Sequence, residues 1–225
     1  MRSFWSDPYL WIHLAGVAAL PFFLGACLLG LAVGSPVLPV WLELFLVGAI
    51  GIVPVLWMQW FRPFYIFSIL VVAVKPEKLT VVQQRILTRF KTELNRGLAI
   101  GVAILLFVVL RQLYQIAPLA AEVAFFPPQW RLGGLLLAAL AFLGGNLFLQ
   151  VPVSAIAVLL TSEAAFVAAE PELTPKIRQD FTILGWQIDR ILPFVASDTA
   201  IFQTTPKEAI ASKSVEKEES PAVSE

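Results

Sequence analysis

The polar side chains within long apolar stretches of the sequence include His13, Glu43, Arg111, Asn146 and Gln150. Lipid penalises ionisable and amide groups, so such residues are candidates for function by default. An imidazole could ligate a metal or the magnesium of a chlorophyll. A carboxylate and a guanidinium could take part in moving protons or ions, and the amides could bind a solute.

Each candidate also has a structural interpretation, which we favour. His13 lies one turn into the first apolar stretch and can bond a backbone carbonyl at the membrane interface. Glu43 can reach the headgroups or pair with Arg111 or another group, and Arg111 can extend its side chain to the interface. Asn146 follows Gly144 and Gly145, a pattern that suits close helix packing and an interhelical hydrogen bond.

Patterns typical of enzymes are missing from the sequence. It has no paired carboxylates at useful spacing, no cluster of His or Cys, and no P-loop or dinucleotide-binding glycine pattern. A single His and a single Cys disfavour zinc and haem sites built by the protein, and Cys27 is expected to behave as a small buried hydrophobe. We therefore predict no enzymatic activity, no metal and no cofactor.

The composition is that of a membrane protein. Hydrophobic residues make up 58% of the 225 residues and charged residues 14%, far below the quarter or so that is usual in soluble domains. Four apolar stretches, at about residues 9–33, 38–61, 98–117 and 132–160, are long enough to cross a bilayer. The predicted fold is all-α, a polytopic bundle of about four transmembrane helices, with Pro152 interrupting the last.

Two polar segments follow the apolar pairs. Residues 75–97 contain Thr80 and Gln83 at the spacing of a capping box, which predicts the start of an amphipathic helix. Residues 173–192 are predicted to form a second one, with Thr174 as its N-cap and Pro175 at its first position. Residues 64–74 are apolar but too short to cross alone, and three alternatives stay open: they extend span two, lie in the interface or re-enter.

The two halves share a plan, which predicts an internal duplication as two similar hairpins, each followed by a cytoplasmic amphipathic helix. The proposed divisions are residues 1–97, residues 98–198 and a disordered polar tail at 199–225. Chance similarity between apolar hairpins is the alternative. An even number of intervening spans makes this a parallel repeat, as in some transporters.

The distribution of charge predicts the orientation. Residues 75–97 hold six Lys or Arg side chains and two acidic ones, whereas the loop between spans one and two holds no Lys or Arg. The positive-inside rule therefore places this segment and both termini in the cytoplasm.

The opening MRSFWSDPYLWIHLAGVAALPFFLGACLLGLAVG and the following PVLPVWLELFLVGAIGIVPVLWMQWFRPFYIFSILVVAVKP resemble a group of cyanobacterial membrane proteins with a low-complexity tail. The resemblance covers nearly all of the membrane part and supplies no catalytic residues. It implies a thylakoid or plasma membrane and an association with photosynthetic complexes.

Two functions are compatible with these features. The first is an accessory or scaffold protein whose partners are the bilayer and other membrane proteins, with photosystem subunits or assembly factors implied by the resemblance. The second is a small solute or ion transporter built from the two halves or from a homo-oligomer. Pigment or lipid binding by His13 and the tryptophans is a third. Nucleic acid is not an expected partner, because the net charge is zero.

Overall fold

The computed structural model describes residues 3–69 and 71–192. Four of its helices are long and apolar enough to cross a membrane. Span 1 comprises α1 (Pro8–Ala15), a 3-10 stretch (Gly16–Ala19) and α2 (Leu20–Leu31), and span 2 is α3 (Val40–Phe61). Span 3 is α5 (Glu93–Ile116), prolonged by a 3-10 stretch (Ala117–Val123). Span 4 is α6 (Arg131–Leu159), which follows a short 3-10 stretch (Pro128–Trp130). The predicted all-α membrane bundle is confirmed.

Span 4 is the central helix of the bundle. It packs against spans 1, 2 and 3, and 44% of its most apolar window is buried, against 17–28% for the other spans. Gly30 and Gly134 let spans 1 and 4 meet backbone to backbone, because a Cβ on either would lie within 2.6 Å of the other's carbonyl oxygen. Small residues are the usual means of close helix contact in lipid.

The predicted interruption at Pro152 is wrong. The helix continues through this proline to Leu159, and span 2 likewise continues through Pro54. A proline lacks a backbone N–H donor, which leaves a carbonyl of the helix without its usual partner. In a membrane bundle, groups on neighbouring helices can bond that carbonyl instead.

Residues 64–74 do not prolong span 2, because that helix ends at Phe61. They contain a hairpin of β1 (Ser68–Ile69) and β2 (Val72–Val74), and β2 pairs in parallel with β3 (Trp186–Ile188). The four residues before the hairpin, Phe64, Tyr65, Ile66 and Phe67, are buried.

The second amphipathic helix is therefore only partly as predicted. α8 (Thr174–Asp180) ends before Phe181, and the following residues enter the sheet as β3 instead of continuing the helix. Thr174 is its first residue and Leu173 its N-cap, so the predicted capping role of Thr174 is wrong. A glycine at φ 90°, Gly185, makes the turn into the strand.

The first amphipathic helix begins as predicted. α4 (Val81–Phe90) opens with a capping box, in which Gln83 N donates to Thr80 Oγ1 at 3.3 Å and Thr80 N donates to Gln83 Oε1 at 3.1 Å. Its end differs from the prediction, because Thr92 caps a new helix that becomes span 3. A further short helix, α7 (Glu163–Val167), follows span 4.

Residues Met1–Asp189 cluster as one compact unit. The predicted division at residue 97 falls within α5, and the duplication stays a prediction. The predicted tail at 199–225 lies outside the described residues.

Candidate functional site

Glu43 and Arg131 form an ion pair inside the bundle. Glu43 is at the first turn of span 2 and is fully buried, and Arg131 opens span 4 with 3% of its surface exposed. The Arg131 Nη2 donates to Glu43 Oε2, and Nε donates to Oε1 at 3.3 Å. We call the end of the bundle that holds this pair the ion-pair end.

Arg131 uses all of its donors within the protein. A guanidinium has five N–H groups and no acceptor. The Nη1 donates to the backbone oxygens of Leu31 at 2.6 Å and Val33 at 2.9 Å. The Nη2 donates to Glu43 and, at 3.5 Å, to the hydroxyl of Tyr114. Together with Nε, these contacts account for the five N–H groups.

The Glu43 carboxylate is equally well satisfied. Its Oε1 accepts from the backbone N–H groups of Val37 at 3.1 Å and Leu38 at 3.4 Å. Its Oε2 accepts from the Tyr114 hydroxyl at 2.8 Å. The cluster thus joins the end of span 1, the loop after it, and spans 2, 3 and 4. A buried pair offsets its desolvation cost only when extra hydrogen bonds complete it, as here.

A cavity of about 420 Å³ lies beside this cluster, and Arg131 and Tyr114 contribute to its wall. Gly34, at φ 61°, shapes the adjacent turn, where a Cβ would lie 2.2 Å from the Pro128 oxygen. Because the charges are already engaged by the protein, the arrangement suits holding four spans together better than binding an ion.

The sequence analysis allowed Glu43 to pair with Arg111 or another group, and in the structure its partner is Arg131. Arg111 is exposed, in keeping with a side chain that reaches the interface. The role of Arg131 was not predicted, because in the sequence this residue looks like a charge in the loop between spans 3 and 4. A signal was available, because Glu43 and Arg131 each start a span that runs in the same direction, which puts them at one end of the bundle.

The two amides on span 4 contact different neighbours. Asn146 Nδ2 donates to Gly51 O of span 2 at 2.9 Å, the interhelical bond that the glycine pattern predicted. Gln150 Nε2 lies 3.5 Å from Ala99 O of span 3. Neither contacts Glu43 or Arg111 in the hydrogen bonds of the described residues, so the predicted polar set is divided among separate helix pairs.

His13 is half-buried near the start of span 1. Its Nδ1 lies 2.8 Å from Tyr9 O, one turn earlier. This bond matches the structural interpretation of His13, an interfacial histidine that bonds a backbone carbonyl. Within the described residues there is no group of three or more His, Cys, Asp or Glu side chains suited to a metal ion.

A family model for low-complexity tail membrane protein-like sequences matches residues 6–193 of the chain. The chain belongs to the low-complexity tail membrane protein-like family. With four apolar helices, this membership makes it a multi-pass integral membrane protein. No curated protein and no solved structure matches it.

The other end of this low-complexity tail membrane protein-like chain carries the sheet, and we call it the sheet end. Asp7 caps α1 by accepting from Tyr9 N at 2.9 Å and also accepts from Gln83 Nε2 at 3.1 Å. Burial raises the pKa of the Asp7 carboxyl, although these two hydrogen bonds oppose the rise. The start of span 1 is thereby tied to the cap of α4.

Proposed function

We propose that the protein is a non-enzymatic integral membrane accessory or scaffold protein that assists the assembly or stability of photosynthetic membrane complexes. The observation that carries the proposal is the saturation of the Glu43–Arg131 cluster by the protein itself. Because the hydrogen bonds of this pair go to groups on the four spans and the loop between spans 1 and 2, the pair supports a fixed arrangement of the helices. A fixed arrangement suits a protein that functions by binding partners at its surfaces.

Two kinds of surface support a docking role. The lipid-facing sides of spans 2 and 3 expose large apolar residues, such as Phe45, Val53 and Ile104, which can pack against other membrane helices. The sheet end carries α4 and basic side chains of the 75–97 segment, which can contact polar partners. The photosynthetic setting and the thylakoid or plasma membrane rest on the family resemblance.

A pull-down from the native membrane tests the proposal. The tagged full-length protein is extracted in mild detergent, and the eluate is analysed by mass spectrometry and absorption. We expect photosystem subunits or assembly factors in stoichiometric yield. A matched sample of an unrelated tagged four-span protein identifies non-specific capture. A colourless homo-oligomer without partners would contradict the proposal.

Transport of a small solute or ion is the second candidate. It is favoured by four buried amides that each keep one atom without a hydrogen bond partner, namely Gln59 Nε2, Asn95 Oδ1, Asn146 Oδ1 and Gln150 Oε1. Such atoms are costly in a dry interior and suit a hydrated interior. A partner-free homo-oligomer in the pull-down would move transport to the front.

We further propose that both termini face the cytoplasm. Ser3 Oγ donates to Glu163 at 2.8 Å, so the start of the chain and the segment after span 4 lie at the same end of the bundle. A protease added to the cytoplasmic side of sealed membranes should remove a C-terminal tag. Protection of the tag from that side would contradict this orientation.

A further inference from the structure

A second cavity, of about 370 Å³, lies between span 1, the β-hairpin segment and span 4. It is separate from the Glu43–Arg131 cluster, because none of its lining residues belongs to that cluster. Gly16 of the 3-10 stretch borders it, and the absent side chain leaves Phe148 of span 4 as the facing wall, with its ring 3.4 Å from where a Cβ would lie.

The lining is apolar apart from two side chains, and both have partners in the protein. Ser68 is fully buried and its Oγ donates to Tyr65 O at 2.7 Å. The Nδ1 of His13 lies 2.8 Å from Tyr9 O. An apolar cavity of this kind accepts apolar guests, and its volume is within the range of about 300–1,000 Å³ that is usual for ligand sites.

The depth of the cavity matches the hydrocarbon layer. His13 is five residues after Pro8, and Phe148 is eleven residues before Leu159. At a rise of about 1.5 Å per residue, they lie about 8 and 17 Å inside their spans from the sheet end. A hydrocarbon core of about 30 Å covers both depths.

The cavity is also accessible from outside the bundle. Ile12 and Leu184 at its edge are 38% and 46% exposed. We infer that this cavity holds one hydrocarbon chain of a membrane glycerolipid, inserted between span 1 and span 4. This inference goes beyond the proposed function and does not require it. An isoprenoid pigment tail has the same chemistry, and the absorption spectrum of the protein distinguishes that source from a glycerolipid.

The test uses the full-length protein in vesicles of phosphatidylglycerol that contain a trace of the same lipid with a diazirine in one acyl chain. After irradiation, crosslinked residues are located by mass spectrometry. We expect crosslinks concentrated around Gly16 and Phe148, which excess unlabelled lipid reduces. Labelling spread evenly over all lipid-facing residues would overturn the inference.

A pair of substitutions on span 1 provides the control. Gly16→Leu places a side chain towards the cavity, whereas at Gly25 an added Cβ meets nothing within 4 Å among the described residues. Crosslinking at Phe148 should fall at least fivefold in Gly16→Leu and stay unchanged in Gly25→Leu. Equal crosslinking in the two variants would overturn the proposal.

Two further measurements complete the test. Leu184→Trp narrows the mouth from an exposed position and should reduce the same crosslinks, which covers the outcome in which Gly16→Leu does not fold. The absorption spectrum of wild-type protein from its native membrane identifies the source of the chain. If the wild type carries stoichiometric pigment and Gly16→Leu does not, the occupant of the cavity is a pigment tail, and the glycerolipid assignment is overturned.

Discussion

The two ends of the bundle are held together in different ways. At the ion-pair end, one buried pair engages all four spans and the loop between spans 1 and 2. At the sheet end, the ion pairs at the surface include Lys75–Asp189 at 2.8 Å, Lys91–Asp180 at 2.7 Å and Arg178–Glu77 at 2.8 Å. The side chains of these three pairs are 32–64% exposed.

The difference predicts unequal sensitivity to substitution. Removing one member of a buried pair strands the other charge in a medium that cannot solvate it. Exposed pairs contribute little, because water and salt screen them. We therefore expect the ion-pair end to fix the arrangement of the helices and the sheet end to tolerate single charge changes.

The largest effect is expected for Arg131→Met. It leaves the buried Glu43 carboxylate without its counter-charge, and the expected loss is about 3–5 kcal/mol of the free energy of unfolding. Thermal melting in detergent, followed by size-exclusion chromatography, measures the loss. Adding Glu43→Gln to this variant should recover part of it, because no unpaired charge then remains.

Arg111→Met is the matched control, since Arg111 is also on the membrane part but is exposed. Its melting temperature should stay near that of the wild type. If Arg131→Met and Arg111→Met melted alike, the ion-pair end would not be the fixed end.

The next effect is expected at the crossing of spans 1 and 4. In Gly30→Ala the new Cβ would lie 2.6 Å from Gly134 O and 2.7 Å from Ala138 N. These are backbone atoms that cannot rotate away, so the helices must separate, at an expected cost of about 1–3 kcal/mol. Gly25→Ala on the same span is the control and should melt as the wild type does. Equal melting of the two variants would show that the crossing is not tight.

A more local effect is expected for Gly185→Ala. Gly185 has φ 90°, and a Cβ there would lie 2.0 Å from Val71 O. The strain is about 1–3 kcal/mol and falls on the pairing of β3 with β2. Hydrogen exchange should rise at residues 186–188 and stay unchanged in the four spans. Faster exchange throughout the spans would mean that the sheet supports the whole bundle.

The smallest effect is expected for Lys91→Met. Burial disfavours the charge of Lys91, but Asp180 and Glu172 outweigh it and raise the pKa of the lysine. The pair therefore stabilises the fold below the ordinary lysine pKa of 10.5, and the stabilisation is lost as pH rises through the raised value. At neutral pH the variant should lose about 0.2–1 kcal/mol.

Salt separates this effect from loss of packing. In 1 M salt, wild type and Lys91→Met should melt closer together, because screening weakens the exposed pair. A difference that salt does not change would assign the effect to the lysine's alkyl chain.

The spans were predictable because hydrophobic length is a strong signal and needs no knowledge of neighbours. The capping box at Thr80 and Gln83 was predictable for a similar reason, since it is local. The strands were missed although residues 64–74 are rich in aromatic and β-branched residues, a pattern typical of a buried strand. β2 pairs with β3 more than a hundred residues later, and spacing along the sequence does not report such a partner.

The site was only partly predictable. Glu43 and Asn146 stood out as polar residues among apolar ones, and the interhelical bond of Asn146 follows from the neighbouring glycines. The partner of Glu43 depends on which span ends meet in the folded bundle, and Arg111 and Arg131 were both available. Periodicity likewise extended α8 beyond Asp180, because Phe181, Leu184 and Ile188 have helical spacing although the last of them is in β3.

The measurement that tests the account most directly is the native-membrane pull-down repeated with the double variant Glu43→Gln and Arg131→Met. If the pair has only a structural role, the folded, monodisperse double variant should recover the same partners in the same yield as the wild type. A folded double variant that loses those partners would contradict the account, because the pair would then act in function and not only in holding the spans.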